Sequence, residues 1–224
     1  AVDQATDTPT NNFCTMNPVD NHYADATFSQ GNCHVVTSTS AYTYVITTMG
    51  VTAGKWYWEV EFDAKTHAND YSRIGFAGQS TPNATGTDLG TSAHGYGYYG
   101  YNGYVLHNTG STDFGATYTV GDIISVALDL TNLKAYWGKN GTWLNSGDPT
   151  SGATGTGAVA VAAISTTPIG AYFPAIHFAD SSNTGTFKCN FGGSPAFTVS
   201  SANADADGYG AFEYAPPSGY FAIC

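Results

Sequence analysis

The chain has 224 residues, 42% of them hydrophobic and 14% aromatic, enough to bury one sizeable core and too apolar for a disordered chain. Charged residues are only 10%, and 17 acids against 6 bases give a formal charge of −11. That charge repels a phosphate backbone and offers no polybasic grip on anionic lipid, so no nucleic-acid partner is expected. The longest plain apolar run, residues 158–164, is far too short to span a membrane, so no membrane insertion is expected either.

Gly, Tyr, Phe and Thr are plentiful, while Glu occurs only at positions 59, 61 and 213. No window repeats with a helical period, so strands and turns are expected throughout. Residues 1–25 form a polar, turn-rich flank with a break at Asn17-Pro18. Residues 26–39 read as two short strands about a Gln30-Gly31-Asn32 turn, and 42–48 as another. In Trp56-Tyr57-Trp58-Glu59-Val60-Glu61-Phe62 the alternation is clean. Trp56, Trp58, Val60 and Phe62 share one face and Tyr57, Glu59 and Glu61 the other, the pattern of a half-buried strand with an aromatic core side. A strand over 73–77 leads into a polar loop over 78–92. Residues 95–104 are biased toward Gly and Tyr, with Tyr96, Tyr98, Tyr99, Tyr101 and Tyr104 in one short stretch. Strands over 105–108, near Tyr118 and over 123–130 follow. Residues 133–137 pair with 142–144 across Lys139-Asn140-Gly141, a hairpin turn. A Gly/Ser/Thr-rich loop over 145–157 precedes strands at 172–178 and 186–191. Many short strands without helices between them imply an all-β, antiparallel two-sheet β-sandwich.

Glu59, Glu61 and Asp63 recur with period two, the way some sandwich-fold glycosidases hold a nucleophile beside an acid; the plain alternative is a wet strand face. Asn203, Asp205 and Asp207, followed by Gly208, have the oxygen spacing of a calcium loop, but the twelfth position is Tyr214 instead of a bidentate Glu. Calcium is the one cofactor with any signal, and a solvated acidic turn is the alternative. Five tyrosines exceed what one short loop easily buries, so partial exposure as a contact surface is expected, flanked by His94 and His107. Cys14, Cys33, Cys189 and Cys224 lack metal-ligand spacing and read as buried thiols. No nucleophile elbow, phosphate loop or dinucleotide fingerprint is present, so no catalytic residue is assigned.

Six segments in order resemble the SPRY domain family. They are the strand Gly54-Lys55-Trp56-Tyr57-Trp58-Glu59-Val60-Glu61, then Ile74-Gly75-Phe76-Ala77, then Gly121-Asp122-Ile123-Ile124-Ser125-Val126-Ala127-Leu128-Asp129-Leu130, then the hairpin ending Lys139-Asn140-Gly141, then Tyr172-Phe173-Pro174-Ala175-Ile176, and finally Phe187-Lys188-Cys189-Asn190-Phe191-Gly192. The flanks Asn11-Asn12-Phe13-Cys14-Thr15-Met16-Asn17-Pro18 and Pro216-Pro217-Ser218-Gly219-Tyr220-Phe221-Ala222-Ile223-Cys224 resemble the edges of SPRY units in virion proteins of tailed bacteriophages. Residues 193–215 depart from that pattern as an insertion.

The resemblance implies a concanavalin-like sandwich with an N-terminal flank over 1–25, the sandwich over 26–192 and a closing segment over 193–224, forming one domain of a longer chain. It implies a non-enzymatic binding module whose rim loops, here 78–92, 96–104 and 145–157, dock to a partner. A phage origin makes that partner another virion subunit, another copy of the chain, or a host surface protein or glycan, and places the domain on the particle surface. A lectin-like adhesin is the alternative, and a glycoside hydrolase using Glu59, Glu61 or Asp63 the third reading. The family's strand order also implies that Cys33 lies beside Cys189 and Cys14 near Cys224, so two disulfide clips stand as the alternative to buried thiols.

Overall fold

β-Branched and aromatic residues at alternating positions favour extended chain, and here they build it almost everywhere. The computed structural model describes residues 12–21, 26–39, 42–78 and 88–224. In chain order the strands are β1 (Met16–Asn21), β2 (Thr27–Ser29), β3 (His34–Val36), β4 (Thr43–Thr47), β5 (Lys55–Lys65), β6 (Ser72–Ala77), β7 (Gly95–Tyr99) and β8 (Tyr104–His107). There follow β9 (Gly110–Asp113), β10 (Ile123–Asp129), β11 (Lys134–Lys139), β12 (Thr142–Trp143), β13 (Val159–Ala160), β14 (Phe173–Phe178) and β15 (Gly185–Asn190). Among the described residues the only helical pieces are two 3-10 turns, Gly152–Thr154 and Ile164–Thr166.

Two antiparallel sheets result. One runs β1-β4-β14-β6-β7-β8-β9; the other runs β12-β11-β10-β5-β15-β3-β2, with β13 also on β11. Between them lies a core of Trp58, Val60, Phe62, Ile74, Phe76, Tyr96, Tyr98, Val126, Trp137, Ile176 and Phe187. Phe76 stacks on Tyr96 and on Trp137, and the Trp137 indole donates to the Ile74 carbonyl across the sandwich at 3.0 Å. The β11–β12 turn has Asn140 and Gly141 at φ 49° and 79°, the pair of left-handed residues that a two-residue hairpin needs.

The fold corrects two expectations. Strand β5 is not half-buried. Tyr57 and Glu59 on its outer side are as inaccessible as Trp58, because residues 193–222 cross that face and pack Phe212, Tyr220 and Ala222 on Tyr57. No strand forms near Tyr118. Its buried ring sits on irregular chain, with the hydroxyl donating to the Ser72 and Tyr98 carbonyls. The extra strand is β9, whose four exposed residues show no apolar alternation because they form a sheet edge.

The described parts of both flanks are integral to the sandwich. Cys14 N–H donates to Ile223 O, Tyr57 N–H to Phe221 O and Phe221 N–H to Lys55 O, all within 3.0 Å. The two ends of the described chain thereby lie together against the start of β5.

Candidate functional site

The paired acids of β5 are structural. Glu59 is fully inaccessible, and its carboxylate accepts four hydrogen bonds: from Tyr57 Oη (2.8 Å) and Tyr214 N–H (2.8 Å) on Oε1, and from Asn190 Nδ2 (3.2 Å) and Glu213 N–H (2.9 Å) on Oε2. Burial pushes its pKa up despite those donors. Glu61 and Asp63 converge on one cation, Lys188 Nζ, at 3.7 and 2.6 Å. With Glu59 inaccessible and Glu61 and Asp63 sharing one cation, the three do not stand as the paired acid and nucleophile that a glycosidase needs. The sequence pattern was a real signal, but for a clasp that holds the closing segment.

The tyrosine-rich stretch is not one loop. Residues 95–99 are strand β7, with Tyr96 and Tyr98 wholly buried in the core and Gly95 and Gly97 on the outer side. The alternation of Gly with Tyr is the strand period, so only Tyr99, Tyr101 and Tyr104 retain exposure. Nor do the described residues of the three expected rim loops all gather at one end of the sandwich. Because β6 and β7 are antiparallel neighbours, Ala77 and Gly95, where their connection leaves and rejoins the sheet, lie at the opposite end from the 100–103 turn, while Asp88 and Leu89 lie back over Arg73 and Gly97. Of the 78–92 loop, residues 79–87 lie outside the described residues. Residues 145–157 fold along β11 and lead into β13, away from the tyrosine turn. His94 also sits at the far end, where its Nε2 meets Thr166 Oγ1 at 3.3 Å.

What surrounds Tyr101 instead is an aromatic rim that sequence reading missed. Tyr101 is 52% exposed, and its ring centroid lies 5.8 Å from Tyr99 and 5.6 Å from Tyr71. Tyr71 in turn stacks on His67 at 4.4 Å. Both new members come from the β5–β6 connection, which is heavily tied down. His67 Nδ1 accepts from Asn69 N–H, Asn69 Nδ2 donates to Tyr71 Oη, and Lys65 Nζ donates to Ala68 O and Asp70 Oδ1. The β14–β15 connection is stapled to it. Ala179 N–H donates to Tyr71 O and Thr66 N–H to Thr184 O, both at 2.9 Å. Asp180 gathers Ser182 N–H, Asn183 N–H and Asn183 Nδ2, and its other oxygen stands 3.9 Å from His67 Nε2. A rim held this way pays little ordering entropy on contact.

The rim continues onto the outer face of the seven-stranded sheet. Register aligns Tyr44, His177, Arg73, Tyr99 and Tyr104 in one row across β4, β14, β6, β7 and β8. Arg73 places its guanidinium 4.8 Å over the Tyr99 ring and pairs with Asp88 at 2.9 Å, while His177 Nε2 lies 3.3 Å from the other Asp88 oxygen. Burial pushes the Asp88 carboxyl up, but the His177 hydrogen bond and charge, with Arg73, outweigh it and hold the pKa at about 2.

The other sequence candidates are engaged elsewhere. Asp205 Oδ1 accepts from Asp207 N–H and Tyr209 N–H, and its Oδ2 accepts from Ala222 N–H. Asn203 points its amide donors at the carbonyls of Ser201, Phe212 and Glu213. Asn203 and Asp205 thereby brace the closing segment, and among the described residues no three His, Cys, Asp or Glu side chains group as metal ligands. All four cysteines are thiols. Cys33 and Cys189 are neighbours, with Cys189 N–H donating to Cys33 O at 2.7 Å, whereas Cys14 is buried and Cys224 exposed. Burial pushes the Cys14 thiol up to about 11 and the Cys189 thiol well above its ordinary range, so both are inert. At the end away from the tyrosines a recess of about 340 Å³ is lined by Met49, Val51, Trp56, Ile223 and Cys224, among others. Apart from the Cys224 thiol, its lining carries no titratable side chain.

The chain is thus a two-sheet sandwich with an aromatic rim at one end, where the nearby carboxylates already hold cations or amide donors. The SPRY domain family matches residues 55–193, more than half of the chain, and the chain belongs to that family. SPRY domains are protein–protein interaction modules. Over 126 residues the chain is 33% identical to the ATP-dependent RNA helicase DDX1 of Xenopus laevis, a stretch covering 56% of this chain and 16% of the helicase. Its fold is similar to the crystal structure of the SPRY domain of human HERC1, with a TM-score of 0.60 at 18% identity, covering 78% of this chain and 96% of that one.

Proposed function

We propose that this SPRY domain is a non-catalytic docking module that holds a partner protein against the rim formed by His67, Tyr71, Tyr99 and Tyr101. The observation that carries this reading is the immobilised aromatic cluster. Tyr101 is half-exposed, and the loop behind it is fixed by side-chain and main-chain hydrogen bonds before any partner arrives. Tyrosine held in that way supplies contact area at low entropic cost and is enriched among residues that dominate binding energy. Tyr96, Tyr98 and His94 take no part in the docking surface.

The finer placement is the outer surface of a tailed-phage particle, with another virion subunit, a second copy or a host surface protein as partner. It is supported only by the resemblance of the flanks around Cys14 to Pro18 and Pro216 to Cys224. No cofactor is assigned. A lectin-like role draws on the same rim, since an exposed tyrosine face beside Asn69 and Asp180 also suits a sugar ring.

The test is capture from purified virion and host-envelope proteins by the wild-type domain and by Tyr101→Ala. A partner held by the wild type and lost from the variant supports the rim. A partner held equally by both, or a response only to glycans on an array, overturns the protein-docking assignment.

A further inference from the structure

We infer that the rim receives a cationic side chain, an arginine or lysine on an exposed segment of the partner protein. This rests on the docking role proposed above and narrows it to one partner chemistry.

The first observation is how the chain spends its own cations. Of six Lys and Arg side chains, five hold a carboxylate within 4.0 Å: Lys55, Lys65, Arg73, Lys139 and Lys188. Three of these stand at the tyrosine end, while Lys188 lies part-way along β15 on the outer face of the other sheet. Lys65 is taken by Asp70, Arg73 by Asp88, Lys139 by Asp122, and Lys188 by both Glu61 and Asp63. An acidic segment arriving there finds every cation committed and a chain of net charge −11. At the rim itself Asp180 meets only His67 and amide donors, so its carboxylate is not matched by a Lys or Arg. The sign of the local field favours an incoming positive charge.

The second observation concerns the rings. A guanidinium or ammonium over a tyrosine face is attracted by the ring quadrupole within about 6 Å of the centroid. The protein already uses this contact at the site, since Arg73 covers Tyr99 at 4.8 Å. Tyr101, tilted by 57° to Tyr71 at 5.6 Å, adds a further ring face beside it, while Tyr71 itself is stacked on His67. Tyr101 leaves about half of its surface to solvent. Planar guanidinium stacks better than ammonium, so arginine is the stronger occupant.

The experiment titrates the isotope-labelled domain with acetyl-Gly-Arg-Gly-Arg-Gly-amide and, separately, with the citrulline peptide of the same shape and no charge. Resonances of Tyr71, Tyr99 and Tyr101 are followed at low and high salt. The arginine peptide is expected to give saturable shifts confined to these residues, at least about fivefold tighter than the citrulline peptide, weakening with salt and lost in Tyr101→Ala. Equal shifts at the rim from both peptides overturn the cationic assignment and leave the rim as a docking surface. Shifts located away from the rim, or no shifts at millimolar peptide, overturn the assignment as well. If, in addition, captured partners are indifferent to Tyr101→Ala, the docking role falls with it.

Discussion

Removing the acceptor at Glu59 tests the claim that residues 193–222 are fastened to the sandwich by one buried carboxylate. Each oxygen takes two donors, so the group has no spare acceptor. In Glu59→Gln one oxygen becomes an amide, and its hydrogens face two donors. Tyr57 can turn fully to Ser125 Oγ, already at 2.9 Å, and Asn190 keeps Ala211 O at 2.8 Å. The main chain cannot turn, so the N–H of Glu213 or of Tyr214 is stranded. A buried donor left without a partner costs about 1–3 kcal/mol. In Glu59→Ala both N–H groups are stranded, for a loss of about 2–6 kcal/mol. Urea unfolding reads the stability, and amide hydrogen exchange at residues 212–214 reads the clasp. Faster exchange there in both variants, with the Ala variant less stable than the Gln, is expected. A Gln variant that matches the wild type in midpoint and exchange would refute the clasp.

Acidification tests the Asp88 pair. Its folded pKa, held at about 2, is below the usual carboxylate value of 3.8, so its contribution to stability is full above about pH 4. It is lost as pH falls from there toward 2, and Asp88→Asn should flatten that part of the unfolding profile. Gly75→Ala would set a Cβ 2.0 Å from the Tyr96 carbonyl, so a loss of about 4 kcal/mol or more in thermal or urea unfolding is expected, and a normally stable variant would contradict the β6–β7 register. Thiol titration should find only Cys224 reactive in the folded protein and all four cysteines after unfolding without reductant; fewer than four would restore the clips. Lys188→Met should change stability by less than about 1 kcal/mol, because its pairs with Glu61 and Asp63 are partly solvated.

Much of the sandwich is legible because its signals are local. The alternation of Trp56 to Phe62, the apolar face of Ile124, Val126 and Leu128, and the Asn140-Gly141 turn each specify an element without distant partners. What covers β5 is not local. Tyr57 and Glu59 look like a wet face until Phe212 and Tyr220, about 155 residues on, are laid over them. The rim fails to appear in sequence for the same reason. Tyr71 and Tyr101 meet only because β6 and β7 are paired with Arg73 opposite Tyr99, and that pairing sets the ends of the two strands side by side. The Gly-Tyr alternation at 95–99 was readable as a strand. Gly97 is bare because Leu89 lies across it, where a Cβ would meet Leu89 Cγ at 3.0 Å.

The most direct measurement on the docking role is tyrosine footprinting, with the isolated domain compared to the domain bound to its partner. Tyr101 and Tyr209 are about equally exposed, at 52% and 48%, and lie on different parts of the surface, so each controls for the other. Protection of Tyr101 and Tyr71 on binding, with Tyr209 unchanged, is the expected result. Full reactivity of Tyr101 in the complex, with protection instead around Trp56 and the recess at the opposite end, would contradict it.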